Sequence, residues 1–248
     1  MDHILITGAT SGLGREMALQ LASLHGAHIH ALGRRGERLE ELRADIETLG
    51  GQMTPHALDI TDAAAMAQLL AGLETLDGLI LNAGITSAKA FIEADATTDR
   101  AILDTNVAAN LSLIRLALPA LTRAKGRIQI IASLGGLVPL PYQATYAGSK
   151  AFMVNFGLSL REELKSEGVK VSIFAPGGIA TEMTDIAAMD NVRNKLAPVE
   201  TVAAQAFKAY VKMPALCVPG AENKLVAGLS KFLPRSFLAT QAGKLYRR

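Results

Sequence analysis

The chain has no tryptophan, and aromatic residues make up only 4% of its 248 positions. Single-stranded nucleic acid is commonly held by stacking bases on aromatic side chains, so this scarcity weighs against such a role. Cys217 is the one cysteine. It has no partner for an intramolecular disulfide and no cysteine neighbours that would mark a metal site, so a core position is expected for it. Long apolar runs are also lacking. Ile128 to Ala132 and Val171 to Ala175 are short and interrupted, far below the roughly 20 residues of a spanning helix. The N-terminus enters directly with His3-Ile4-Leu5-Ile6-Thr7, which reads as a buried strand rather than a signal peptide, and a cytoplasmic protein is expected. With 50% hydrophobic residues, the chain has enough apolar surface to fold.

Acidic residues stop at Glu222, while Lys224, Lys231, Arg235, Lys244, Arg247 and Arg248 follow. The net charge of +2 therefore divides into a mildly acidic body and a basic tail over 223–248, and the body gives no support to nucleic-acid binding. In the tail, Val226, Leu229 and Leu233 lie at helical spacing before Pro234, and Phe237, Leu238, Gln241 and Leu245 continue beyond it. Such a stripe packs more often on its own domain or a neighbouring subunit than on a membrane surface, although a basic amphipathic helix can do the latter.

Short β-branched and apolar runs alternate with longer segments of helical periodicity. Strands are expected at His3 to Thr7, His28 to Leu32, Gln52 to Leu58, Gly78 to Leu81, Arg127 to Ala132, Val169 to Ala175 and Ala215 to Val218. Between them, Leu13 to Leu24, Glu37 to Leu49, Ala63 to Leu73, Asp99 to Thr122 and Ala144 to Ser166 are long enough for helices. This βαβα order predicts an α/β fold, a doubly wound parallel sheet of about seven strands covered by helices on both faces. No linker or repeat interrupts it, so residues 1–248 read as one domain.

After the first strand comes Thr7-Gly8-Ala9-Thr10-Ser11-Gly12-Leu13-Gly14. Gly8, Gly12 and Gly14 meet the needs of a dinucleotide site: a tight turn, close approach of backbone to a pyrophosphate, and close helix packing. The phosphates would lie at the N-terminus of the helix beginning near Leu13, where free N–H groups favour anions. The end of the second strand reads Gly33-Arg34-Arg35. A carboxylate there would accept bonds from a free ribose 2′-OH, whereas a guanidinium accommodates a 2′-phosphate, so NADP(H) is favoured over NAD(H). Solvated charges ahead of a helix are the other reading, more so for Arg35 than for Arg34.

Tyr146-Ala-Gly-Ser-Lys150 lies on a predicted helix, where residues four apart share one face. Free tyrosine has a pKa of about 10, and a neighbouring ammonium pulls it toward working pH. Tyr146 is thus a candidate general acid or base. By composition such a spacing arises by chance about 0.2 times in a chain of this kind, so an ordinary exposed helix pair stays open on this motif alone.

Together with Ser133 upstream, these features resemble the short-chain dehydrogenase/reductase family, in its compact single-domain branch. The likeness runs from Ile4 to about Met183 and includes Asp59, Asn82-Ala83-Gly84, Asn106 and Pro176-Gly177 in the family's order. The resemblance implies catalytic roles for Asn106, Ser133, Tyr146 and Lys150. Tyr146 would exchange the proton, Ser133 would hold the substrate oxygen, and Lys150 would lower the tyrosine pKa and bind the nicotinamide ribose. Asn106 would anchor a water. For the cofactor it implies Gly8, Thr10, Ser11, Gly12, Leu13, Gly14, Arg34, Asp59, Ile60, Asn82, Ala83, Gly84, Pro176, Gly177, Ile179 and Thr181, besides Tyr146 and Lys150. Asp59 and Ile60 would lie at the adenine, and Ile179 and Thr181 at the carboxamide. Leu81 stands where relatives usually carry a second asparagine, at a supporting position.

Bland readings remain for single residues. Asp59 could start a turn or cap a helix, Ser133 could form a strand-end turn, Asn106 could be satisfied within its helix, and Pro176-Gly177 could end a strand. Substrate contacts are expected from Leu134 to Tyr142, Ile85 to Phe91 and Glu182 to Leu196. Leu137, Val138, Leu140 and Tyr142 would serve either as packing or as a lining for an apolar carbonyl compound. Met183, Ile186, Met189, Arg193 and Lys195 would form a lid. The expected protein is an NADP(H)-dependent carbonyl reductase or alcohol dehydrogenase without a metal, acting as a homodimer or homotetramer. An NADP(H)-sensing regulator without turnover ranks lower, because such proteins tend to lose the tyrosine or lysine. A dehydratase or epimerase would need a substrate domain for which the chain has no room.

Overall fold

The computed structural model describes residues 1–185, 193 and 196–246. Ile186, Met189 and Lys195 of the expected lid lie outside them, as do Arg247 and Arg248 of the tail.

Seven strands, β1 (His3–Thr7), β2 (His28–Gly33), β3 (Gln52–Ala57), β4 (Gly78–Leu81), β5 (Arg127–Ile131), β6 (Lys170–Phe174) and β7 (Leu216–Cys217), form one sheet in the order β3-β2-β1-β4-β5-β6-β7. Every pair is parallel. The crossovers are carried by α1 (Gly12–His25), α2 (Gly36–Thr48), α3 (Ala63–Ala71), α4 (Ala96–Leu103), α5 (Ala109–Ala124), α6 (Ala144–Glu163) and α7 (Val199–Lys212), followed by α8 (Ala221–Leu229) and α9 (Arg235–Tyr246). Strand order reverses between β1 and β4, so a crevice opens at the carboxyl ends of those two strands.

The alternation of side chains along a strand divides the core in two. Ile4 and Ile6 of β1 point to one face, where Leu21 of α1, Ile46 of α2 and Tyr210 of α7 join them. Leu5 points to the other, packed with Leu113 and Leu121 of α5 and Leu160 of α6. Cys217, expected in the core, is only partly buried beside the first cluster.

The single helix expected over Asp99 to Thr122 is interrupted. Between α4 and α5, residues Asp104–Ala108 make a π-helical turn containing Asn106. Such a turn inserts an extra residue and is frequent at functional sites. Across it, 96–124 forms one helical run of 29 residues with a window of mean hydropathy 1.3. By length and composition it is long and apolar enough to cross a membrane, a test that the core helix of a folded domain also passes. Here Leu113, Ala117 and Leu121 bury one side of it completely.

Four of the five histidines stack across β1, β2 and β3. His3 Nδ1 lies 3.1 Å from His30 Nε2, and His30 Nδ1 lies 3.2 Å from His56 Nε2. His28 stacks on both His3 and His30, with ring centroids 5.0 and 4.8 Å apart, and its Nε2 meets Thr54 Oγ1 at 2.8 Å. Burial, and then the neighbouring imidazoles, pull the pKa of His30 down to about 3.

Candidate active site

The turn after β1 is shaped by what its glycines lack. Gly8 and Gly12 adopt φ of 68° and 55°, a left-handed conformation in which a side chain is strained. A Cβ on Gly8 would come within 2.9 Å of Ala83 Cα, and one on Gly14 would collide with the Asn82 amide and the Gly8 carbonyl. The turn is fastened to the end of β4. Asn82 Nδ2 donates to the carbonyls of Thr7 (3.0 Å) and Gly8 (3.1 Å), while Thr7 Oγ1 accepts from the N–H groups of Asn82 (3.0 Å) and Ala83 (2.9 Å). Ser11 is the N-cap of α1 but makes no side-chain cap bond, and the first turn holds no acidic residue. The N-terminal N–H groups of α1 are therefore free to take a phosphate.

Thr181 abuts the turn, with its methyl carbon 3.1 Å from where a Cβ on Gly12 would lie. The Pro176 carbonyl accepts from Leu134 N–H at 2.7 Å, tying the end of β6 to the segment after Ser133. Ile179 forms an isolated bridge with Ala197, and Gly177 lies against the Asn223 side chain. Leu13 and Ile60 are each 7% exposed and pack in the two cores.

Arg34 and Arg35 part company. Arg34 is 74% exposed and pairs with Asp59 at 3.8 Å. Arg35 instead lies on the glycine turn, where its Nη2 donates to Thr10 Oγ1 (3.0 Å) and Ser11 Oγ (2.8 Å). Asp59 also behaves as a turn former: it accepts from Thr61 N–H (2.9 Å) and the Thr61 hydroxyl (2.8 Å), bonds that hold its carboxyl below the usual carboxylate range. The cap of α3 is Asp62, whose side chain accepts from Ala64 and Ala65 N–H.

Lys150 is buried beneath Tyr146. Its Nζ donates to the Ile131 carbonyl at 2.9 Å and lies 5.8 Å from the Tyr146 ring centroid. Burial pulls its pKa down to about 8, because desolvation penalises the ammonium. Ser133 stands two residues beyond Ile131, and its Oγ accepts from Gly135 N–H at 3.1 Å, capping the short 3-10 turn Leu134–Gly136. Asn106 is 1% exposed and fully engaged, though not within its own helix. Its Oδ1 accepts from Ile85 N–H (2.9 Å), and its Nδ2 donates to the Ile85 carbonyl and to Ser149 Oγ, both at 3.0 Å. Ser149 Oγ donates in turn to the Tyr146 carbonyl at 2.7 Å. A Cβ on Gly84 would lie 3.2 Å from Asn106 Oδ1 and 3.4 Å from Lys150 Nζ, so that glycine lets the loop after β4 close over both.

The family model for short chain dehydrogenases matches residues 2–191. The chain belongs to the short-chain dehydrogenase family. It is an oxidoreductase, and its curated relatives include serine 3-dehydrogenase from Agrobacterium fabrum (strain C58), 37% identical over 186 residues and 73% of either chain. Among solved structures, a metagenomic short-chain oxidoreductase in complex with NADP is 27% identical with a TM-score of 0.74, covering 88% of this chain and 96% of that one. A 3-oxoacyl-[acyl-carrier protein] reductase from Brucella melitensis with bound NAD is 26% identical with a TM-score of 0.75, covering 84% of each. Dehydrogenases of this fold thus carry either dinucleotide.

The pocket beside Tyr146 draws on two of the expected segments, Ile85 to Phe91 and Leu134 to Tyr142, and mixes polar with apolar side chains. It has a volume of about 40 Å³ and is bounded by Ser87, Lys89, Phe91, Asp99, Tyr142 and Gln143 among others. Leu137, Val138 and Leu140 line a different groove of about 380 Å³ together with Ala147, Gly148 and Arg235. Sequence reasoning passed over Thr7 and Ser149, which hold the glycine turn and Tyr146 in place. A serine three residues after Tyr146 and next to Lys150 was the available signal, since a helical hydroxyl can bond back to a carbonyl one turn earlier.

Proposed function

We propose that this dehydrogenase uses NADP(H) to move hydride between the nicotinamide and a small carbonyl or secondary alcohol compound, with Tyr146 as general acid and base. The buried Lys150 ammonium beside the Tyr146 ring carries this reading. A cation in a dry site favours the phenolate and brings the tyrosine proton within range of neutral pH. When bound, the nicotinamide supplies or accepts the hydride. The chain's own residues manage the proton and the oxygen. Tyr146 gives its phenolic proton to the carbonyl oxygen in reduction and takes one from the hydroxyl in oxidation. Because Ser133 Oγ accepts from Gly135 N–H, its own O–H remains to donate to that oxygen as charge builds. Asn106 acts through Ile85 and Ser149, fixing the loop and the helix turn that bear on Tyr146.

Preference for NADP(H) is supported by Arg35 at the glycine turn, by Arg34 beside it, and by the lack of a carboxylate at the end of β2. Assembly as a homodimer or homotetramer is part of this reading, and Leu116 on α5 and Phe152 on α6, 38% and 43% exposed, are apolar side chains that a subunit contact would cover.

The test pairs NADPH and NADH binding with a screen of aldehydes and ketones for cofactor oxidation. Tyr146→Phe retains cofactor binding while kcat falls by about 10²–10⁴-fold. Equal turnover by the variant refutes the assignment.

A further inference from the structure

The basic cluster at the mouth of the cofactor site contains its own anion. Arg35 Nη1 donates to Glu182 Oε2 at 2.9 Å, and Arg38 pairs with the other oxygen, Oε1, of the same carboxylate. The two arginines come from the start of α2 and Glu182 from the segment after Thr181, so the contact spans more than half the chain. Arg35 is at the same time bonded to the hydroxyls of Thr10 and Ser11. Two guanidinium groups and two hydroxyls thus converge beside the uncapped N-terminus of α1, and this is the composition of an anion seat. Glu182 faces it as an acid delivered from another element, where the end of β2 has none.

The two dinucleotides meet this carboxylate differently. A free ribose 2′-OH is neutral and can donate to Glu182 with the arginines left in place. A 2′-phosphate is an anion that needs the same guanidinium groups and is repelled by the carboxylate already on them. The side chains of Glu182, Arg35 and Arg38 are 55%, 43% and 41% exposed, so solvent screens the pairs and the carboxylate can be displaced.

Building on the reading of the glycine turn as a dinucleotide site, we propose that Glu182 is a specificity-determining residue, whose carboxylate competes with the 2′-phosphate for Arg35 and Arg38 and moderates the preference for NADP(H). The arginines set the sign of the preference and Glu182 sets its size. Dissociation constants for NADPH, NADH, 2′,5′-ADP and 5′-AMP at low and high salt, measured on the whole chain, provide the test. Glu182→Gln tightens NADPH and 2′,5′-ADP by about ten-fold at low salt, with a smaller gain at high salt, and changes NADH and 5′-AMP by less than about two-fold. Arg35→Gln weakens NADPH and 2′,5′-ADP selectively. If Glu182→Gln weakens NADPH or leaves its ratio to NADH unchanged, while Arg35→Gln still lowers that ratio, the proposal is overturned and the cofactor reading stands. If the unaltered chain binds neither dinucleotide, the cofactor reading itself has failed.

Discussion

Acidification should destabilise this fold through the histidine stack, and His30 gives the size of the effect. It is 7% exposed, lies between His3 and His56 within hydrogen-bond distance of both, and stacks on His28. Its folded pKa of about 3 compares with the 6.5 of an ordinary imidazole. For a base whose pKa is depressed on folding, the unfolded chain binds more protons between the two values. Stability is therefore complete above pH 6.5 and falls as pH drops toward 3. At about pH 5 the loss from His30 alone is about 2 kcal/mol relative to pH 8. Burial likewise lowers the pKa of His28 and His56, so their contributions have the same sign. Urea unfolding followed by circular dichroism should show a midpoint lower by about 0.7 M or more at the acidic pH. His30→Leu leaves His3 and His56, both partly exposed, to bond with water, and it should remove about 2 kcal/mol of the pH dependence. Equal midpoints at the two pH values, or an undiminished drop in His30→Leu, would refute this account of the stack.

Two further outcomes follow from burial and exposure. Lys150→Met abolishes turnover yet raises stability at neutral pH by about 1–3 kcal/mol, because it removes a desolvated ammonium from the core; a lower thermal midpoint would contradict this. In the tail, Leu225, Leu229, Phe232 and Phe237 are 63%, 47%, 86% and 48% exposed, although Gly243 of α9 lies against Pro141 of the same chain. We propose that these side chains meet a neighbouring subunit, so deleting 228–248 should lower the assembled mass in light scattering while binding to anionic vesicles stays at baseline. Vesicle binding that the deletion removes would point to a membrane instead.

Much of the fold is legible because its signals are local. Ile4 to Ile6, Ile29 to Leu32 and Val171 to Phe174 are short, mainly apolar and buried runs, interrupted only by His30 and Ser172, as strands covered on both faces require. The break at Asp104–Ala108 was not legible, because Asp99 to Thr122 keeps helical periodicity through it. The π turn coincides with bonds from Asn106 to Ile85 and Ser149, contacts distant in sequence. The histidine stack was equally hidden. His3, His28, His30 and His56 become neighbours only through the register of three parallel strands.

The site divides along the same line. Sequence alone determined the glycine turn and the Tyr146–Lys150 spacing, since each depends on residues a few positions apart, and the order of motifs, which is read along the chain without knowing which segments meet. Only the tertiary structure decided that Lys150 lies buried on the Ile131 carbonyl, that Arg35 rests on the turn while Arg34 pairs with Asp59, and that Glu182 supplies an acid where β2 ends without one. Burial and charge pairing arise between chain segments far apart in sequence, and local patterns hold no record of which segments will meet.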